Sequence, residues 1–543
     1  MVFARRSTTL LAAIIASCAM VLSLTACTSD NKTVVDGQTT VTSNSAGGVA
    51  VFTPSDGITL NQQTPLNKWA KLVPDLAKAL ADAGFKKGDI DHTTSDSLAK
   101  QSRAIQDFVV DHLSNNTTDD SGIAIAPDNM TLLVAPVVEA DASTRQYGDY
   151  ISQNLSTNDA TDGEATSDGE SSEDDSSKDD SSNTESDSTA SDEQAQAVDR
   201  LVSSLKLAKE SGMHVVLLGN SIEGYKPDAF VKFSDAQTIG KLQAEKMVSK
   251  LKLDKASKDN PKYIEVLLPY TAVDEKGNAN DSTFAQEAFR GIWQVLGSYY
   301  QKGVVESPSG TLDGKSTEND WQAVAYDAAK EGSTAKVLDK RLAKTDGQST
   351  LTRIDGIITM NDYIASEVVK ELDDLGYTGS AADINPQITI SGIVGNITGK
   401  KDLSRDAVPD PIKSPENDNA NDSSSSDDDA DEDTFASDKD RDSQWPLVTG
   451  YGAYVSNIPS IVNGKQWMTG MEDRQTIATD IAQACAKLNK DEALNSMPSI
   501  RNSEVGGVKK IPTISEPLLA VSASNLKSAL IDPGYISLAD AGL

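Results

Sequence analysis

IDGIITMNDYIASEVVKELDDLG, Ile354 to Gly376, decides the fold. Ile354, Ile357 and Ile358 form a short β-branched run of the kind buried on both faces of a parallel sheet. Ile364, Ala365, Val368, Val369, Leu372 and Leu375 then repeat with a helical period, and Gly376 closes that helix. A strand therefore runs straight into a helix, with Asn361 and Asp362 at the junction. Ligands of open α/β sheets gather at such junctions, past the carboxyl ends of the strands. Asn and Asp are also ordinary helix caps, so the pair reads equally as local structure.

The same alternation extends in both directions. Strands are expected at 49–52, 131–135, 214–218, 230–233, 263–268, 354–359, 388–390 and 447–449. Helical patterns lie at 65–83, 97–112, 193–210, 236–251, 282–296 and 320–341. Strand and helix in turn over 543 residues predict parallel sheets covered on both faces, in two Rossmann-like lobes. Two tracts interrupt the pattern: Asp159 to Glu193 has 14 acids and one Lys, and Asp402 to Asp442 has 15 acids and four bases. They hold most of the net charge of −33. With so little apolar surface, 158–193 and 402–443 are expected to be disordered acidic insertions, one in each lobe. The acidic balance argues against nucleic acid as a partner.

At the N-terminus, Arg5 and Arg6 precede the apolar run Leu10 to Leu24, and Leu24-Thr25-Ala26 leads into Cys27. Residues 1–26 have the layout of a secretory signal, and the apolar run is too short and wrongly flanked for a membrane span. Leu-Thr-Ala-Cys resembles the lipobox of bacterial lipoproteins, whose cysteine is acylated. An acyl chain on Cys27 would hold the protein at the outer face of a cell membrane. Residues 27–48, rich in Ser, Thr, Asn and Gly, read as a flexible tether. Cys485 is the one other cysteine of the mature chain, and neither it nor His92, His112 and His214 has metal-ligand spacing.

The motifs of catalysis and cofactor binding fail one by one. Gly219-Asn220-Ser221-Ile222-Glu223-Gly224 follows a strand, yet a nucleophile elbow needs glycine where Glu223 stands. Gly450-Tyr451-Gly452-Ala453-Tyr454-Val455 lacks the third glycine of a dinucleotide fingerprint. Paired carboxylates such as Asp373-Asp374 follow from composition alone. Neither an enzyme, a metal nor a cofactor is predicted. Polar and aromatic residues at strand ends survive this sorting: Trp69, Asn220, Asp235, Asp274, Trp321, Asn361, Asp362, Tyr451 and Gln466.

Three blocks carry a resemblance: VKFSDAQTIGKLQAEKMV (Val231 to Val248), IDGIITMNDYIASEVVKEL, and WPLVTGYGAYVSNIPSIVNGKQWMTGMED (Trp445 to Asp473). They are similar to successive blocks of the type I periplasmic sugar-binding proteins, the xylose-binding group above all. The order and spacing match from about Val49 to Gly534, apart from the acidic insertions. The resemblance implies a three-strand hinge between the lobes. Lobe one is expected at 49–221 plus 471–508, and lobe two at 222–469 plus 515–543. It further implies that Lys68-Trp69 and Trp321 face a sugar, that Asn361 and Asp362 bind its hydroxyls, and that Gln466 belongs to a crossover strand. A pyranose suits such residues, with C–H faces for tryptophan and hydroxyls for polar groups. Two places depart from the pattern. Asn220-Ser221 stands where the family has Asp-Arg, and Gly450-Tyr451-Gly452-Ala453 where it has Gly-Gln-Asp-Ala, which points to a different ligand, such as a larger glycan on Tyr451, or to a degenerate pocket.

The resemblance thus implies a monomeric, membrane-anchored solute-binding protein that captures a carbohydrate-like ligand and delivers it to an ABC permease and its ATPase. The alternative is a surface interaction or sensing lipoprotein with a repurposed cleft.

Overall fold

The computed structural model describes residues 32–35, 38–41, 46–56, 65–115, 125–138, 144–157, 184–273, 279–343, 350–381 and 442–543. The chain divides into two units, Met1–Asn44 and Ser45–Leu543. In the small unit Lys32–Val35 pairs antiparallel with Gln38–Val41, Lys32 opposite Val41. This corrects the reading of 27–48 as a tether throughout. Two β-branched runs flank Asp36-Gly37 in the sequence, and Asp-Gly between such runs is a strong short hairpin signal.

The large unit is built on two large sheets, beside two short two-stranded pairs, Leu268–Pro269 with Ala325–Tyr326 and Asn154–Leu155 with Ser221–Ile222. The strands are β1 (Gly48–Pro54), β2 (Ile90–Ser95), β3 (Met130–Val134), β4 (His214–Leu218), β5 (Ala229–Val231), β6 (Lys262–Val266), β7 (Val305–Glu306), β8 (Gly356–Ile358), β9 (Leu447–Tyr451), β10 (Met468–Met471), β11 (Ile500–Val505), β12 (Val508–Ile514) and β13 (Leu519–Ser522). The first sheet has the order β11-β12-β5-β4-β3-β1-β2 and the second β7-β6-β8-β9-β10-β13. Apart from β11 and β13, which pair antiparallel at one edge of each sheet, all pairings are parallel.

Alternation along the strands explains why the first sheet is covered twice. Val49, Val51, Leu133, Val216 and Leu218 enter one core with Leu72, Leu76 and Leu80 of α1 (Trp69–Asp82). Ala50, Phe52, Leu132, Val134, Val215 and Leu217 enter the other, with Ile105 and Val109 of α2 (Leu98–Asn115) and Leu201 and Leu205 of α3 (Thr184–Glu210). Period-two side chains on a sheet buried on both faces yield this division. In the second lobe α4 (Ala236–Lys250) crosses α5 (Thr283–Gln301) so closely that a Cβ on Gly240 or Gly291 would strike the backbone carbonyl of Ala288 or Gln237.

Three connections pass between the sheets. β5 leads to α4, β10 leads to α9 (Arg474–Leu488), and β12 leads to β13. Each lobe thus has the doubly wound order 2-1-3-4-5, with its switch point between the first and third strands. Two parallel α/β lobes on a three-stranded hinge constitute the periplasmic-binding-protein type I fold.

Several sequence expectations need correction. Residues 229–231 were assigned to the second lobe, yet β5 pairs with β4, so the first sheet continues past 221. The same sheet is completed by β12 up to Ile514, beyond the expected limit of 508, through a β11–β12 hairpin turning on Gly506 and Gly507 at φ +55° and +77°. The helix expected over 320–341 is two, α6 (Trp321–Val324) and α7 (Ser333–Arg341). Ala325–Tyr326 pairs with Leu268–Pro269 between them, and Gly332 at φ +69° starts the second. Helix α3 begins at Thr184, inside the expected acidic insertion, because apolar periodicity marks only the packed turns of a helix. Most of both insertions, Cys27, Asp274 and the expected strand 388–390 lie outside the described residues.

Candidate functional site between the lobes

The junction after β8 places Asn361 and Asp362 at the head of α8 (Asp362–Leu375), both fully buried. Met360, just before them, has φ +68°, a left-handed conformation that a long side chain rarely adopts. Its carbonyl accepts from Gln243 Nε2 at 3.0 Å. Asn361 Oδ1 caps the helix by accepting from Ile364 N at 2.9 Å. Its Nδ2 donates to Gln146 Oε1 of the first lobe at 3.0 Å.

Asp362 faces its own lobe. Oδ1 accepts from Gln466 Nε2 at 2.7 Å, and Oδ2 from Tyr454 N and Thr469 Oγ1, each at 2.9 Å. Gln466 Oε1 accepts in turn from Asn457 Nδ2 at 2.8 Å, and that amide also donates to Asp362 O at 2.7 Å. Gly450 makes room for this network, since a Cβ there would collide with Asp362 Oδ1. Burial pushes the Asp362 carboxyl up to about 6, against the donors that lower it. Asp362 and Gln466 are therefore joined to each other and to the loops after β9, and neither presents a polar group to a groove.

Tyr451 is buried at the hinge. Its hydroxyl lies 2.5 Å from Ser234 Oγ, on the connection after β5, and Ser234 N donates to Glu472 Oε1 at 2.6 Å, on the connection after β10. Two of the three hinge strands are thus tied through one buried carboxyl. Burial raises Glu472 to about 7 and holds the Tyr451 phenol well above its usual range.

The remaining candidates scatter. Trp69 lies in the first lobe's core, edge-on to Tyr150 at 5.1 Å and to Phe233 at 5.7 Å. At the first turn of α1, the ring packs under its own sheet. Trp321 packs edge-on to Tyr270 at 5.1 Å in the second lobe's core. Asn220 is buried, with Oδ1 accepting from Gln153 N and Nδ2 donating to Pro136 O, both at 2.9 Å. It fastens loops of the first lobe with one bond from each end of its amide. Asp235 caps α4 by accepting from Thr238 N at 2.7 Å and pairs with Lys232 at 2.9 Å.

Sequence reasoning missed the open space. A groove of about 580 Å³ runs between Thr144 and Ile151 to Asn154 of the first lobe and Asp235 to Gln237, Asp281, Thr283, Phe284 and Glu287 of the second. The N-termini of α4 and α5 both border it. The Ser234-Asp235 pair after β5 and the Asp281-Ser282-Thr283 turn before α5 were the signals that could have found it. Among the described residues no set of His, Cys, Asp and Glu is placed to hold a metal ion, and no helix is long and apolar enough to cross a membrane.

The architecture resembles that of the type I periplasmic sugar-binding proteins. No family model and no curated protein matches the chain. Among solved structures it is similar to an ABC transporter solute-binding protein from Clostridium phytofermentans with bound β-D-glucose, at 17% identity over 91% of this chain and 99% of that one, TM-score 0.44. A carbohydrate transporter solute-binding protein from Chloroflexus aurantiacus in complex with D-glucose matches at 17% identity over 92% and 98%, TM-score 0.42. An arabinose-binding protein from Geobacillus stearothermophilus matches at 10% identity over 89% and 99%, TM-score 0.41.

Proposed function

We propose that this chain is a non-catalytic, extracytoplasmic solute-binding protein, anchored by a lipid on Cys27. It takes a carbohydrate-like polar solute between its lobes and delivers it to an ABC permease and its ATPase. The observation that carries the reading is the interlobe groove, whose walls offer the hydroxyls and amides of Thr144, Ser152, Gln153, Asn154, Gln237 and Thr283 beside the ring of Phe284. Such walls suit a ligand with a rim of hydroxyls and an apolar face. Contacts to both lobes from one solute would favour the closed arrangement, which a permease could read.

A thermal-shift screen of the chain against mono- and oligosaccharides tests this. A ligand at a hundredfold excess over Kd adds about 2.7 kcal/mol to the folded state. The reading expects at least one positive saccharide, with the response lost in Phe284→Ala and Gln237→Ala, and it falls if none stabilises the protein. Cys27→Ser should release the chain from membranes. A second reading, a sensing or interaction lipoprotein uncoupled from transport, is favoured by the Asp362–Gln466–Asn457 network, which withdraws the expected sugar-binding groups from any solute. A deletion strain that takes up every saccharide normally would favour it.

A further inference from the structure

We propose that the segment Thr144–Ile151 is an internal latch, holding the two lobes together without solute by making the contacts that a bound solute would otherwise make. The inference rests on the two-lobed solute-binding reading and adds a control on its site.

The segment leaves the first lobe after β3 and faces both ways. Toward the second lobe, Gln146 accepts twice, at Oε1 from Asn361 Nδ2 at 3.0 Å and at its backbone oxygen from Tyr454 Oη at 2.6 Å. Tyr147, 1% exposed, enters the second lobe's core with its ring 4.7 Å from Phe284 and 6.2 Å from Tyr451, and Ile151 joins the same core. Toward the first lobe, Asp149 pairs with Lys68 at 2.6 Å and Asp149 N donates to Asn67 O at 2.8 Å. Tyr150 donates to Lys68 O at 2.6 Å and stacks on Phe233 at 4.6 Å. Gly148, at φ +100°, makes the reversal between the two sets, and a Cβ there would strike Asn67.

The chemistry of the latch is that of a small polar ligand. Two oxygens satisfy an amide and a phenol of the second lobe, and a planar ring covers an apolar face beside them. Asn361 and Tyr454 are buried donors, and separating the lobes without a substitute would strand them until water entered. Another interlobe bond, Leu66 N to Gly452 O at 2.8 Å, lies at the hinge, since Gly452 N is bonded to Gly470 O next to the connection after β10. Rotation about the hinge can spare that bond. It cannot spare the bonds of Gln146 or the ring contacts of Tyr147. Phe284 packs on Tyr147 and also lines the groove, so a solute seated there abuts the latch.

The test compares the full chain with Gln146→Ala/Tyr147→Ala and with Tyr454→Phe, which removes one donor and keeps the ring. Without any saccharide, hydrogen exchange at the amides of Asn361, Ile364 and Tyr454 should quicken by about tenfold or more in the double variant and less in Tyr454→Phe, with a larger radius of gyration by X-ray scattering. For any saccharide found to bind, apparent affinity should rise by about tenfold if the unlatched form is a one-in-ten minority in the wild type. Unchanged exchange and radius in both variants would overturn the latch. Faster exchange and a larger radius with no saccharide bound by any of the proteins would support the latch and count against the solute-binding reading instead.

Discussion

Asp362→Ala separates a structural role from a ligand-binding one. The substitution removes the acceptor of three buried donors, Gln466 Nε2, Tyr454 N and Thr469 Oγ1. Each donor left unsatisfied costs about 1–3 kcal/mol. Against this stands the cost of keeping the carboxylate ionised in a buried site, about 3 kcal/mol at pH 7 for a group raised from 3.8 to about 6. The net loss is then about 3 kcal/mol, which for a cooperative unit the size of Ser45–Leu543 lowers the melting temperature by about 3 °C. The pH dependence has a definite sign. A carboxyl whose folded pKa lies above its unfolded one costs stability when ionised, and that cost is relieved as pH falls from about 6 toward 4. The gap between wild type and variant should therefore widen by about 1 kcal/mol from pH 7 to pH 5. Calorimetry of both proteins, without any saccharide, measures it. A variant that melts within about 1 °C of the wild type at both pH values would refute the structural role of Asp362.

Two further perturbations follow from buried acids. Burial lifts Glu472 from 4.5 to about 7, so the folded hinge gains stability as pH drops through 7 toward 4.5, by up to about 1.4 kcal/mol per unit. Melting curves from pH 8 to 6 should rise more steeply for the wild type than for Glu472→Gln, and parallel curves would remove the hinge carboxyl from the account. Arg341 donates to Val266 O at 2.5 Å and Val324 O at 2.9 Å beside the fully buried Glu265, 3.4 Å away. Arg341→Met should cost about 3–5 kcal/mol, seen as a lower urea midpoint, and Arg341→Met with Glu265→Gln should recover much of it.

The lobes were legible because most inner strands of both sheets are continuous apolar runs, whereas edge strands such as β2 (IDHTTS) and β11 (IRNSEV), mostly exposed, carry no such signal. Val49 to Phe52 and Ile354 to Ile358 needed only a look at periodicity and the glycines that follow the helices. The hinge was placed less well. Phe230 reads as a strand whichever sheet it joins, and only its pairing with β4 decides the matter. Site residues were the hardest, because polar groups at strand ends satisfy their lobe's own loops as readily as a ligand. Asn220 and Asp362 are identical in the sequence whether their partners are backbone amides or hydroxyls of a solute. The residues that settle it, Gln146 above all, stand between Arg145 and Tyr147 in a stretch with no periodicity to draw attention.

A two-lobed clasp works by leaving the closed state short of contacts until a solute provides them. Here Gln146 already bonds Asn361 and Tyr454, and Tyr147 already fills the space beside Phe284 and Tyr451. On the proposed latch, the closing equilibrium is set largely within the chain. A solute that merely reproduced these contacts would shift nothing, because its gain equals the loss of the latch. To act as a signal for closure it must add contacts that Gln146 and Tyr147 do not make, and the groove between Gln153 and Gln237 is where the described residues leave room for them. The residues to vary in search of specificity are therefore those of the groove walls, whereas changes at Asn361, Tyr454 and Gln146 should alter affinity for all solutes by a common factor.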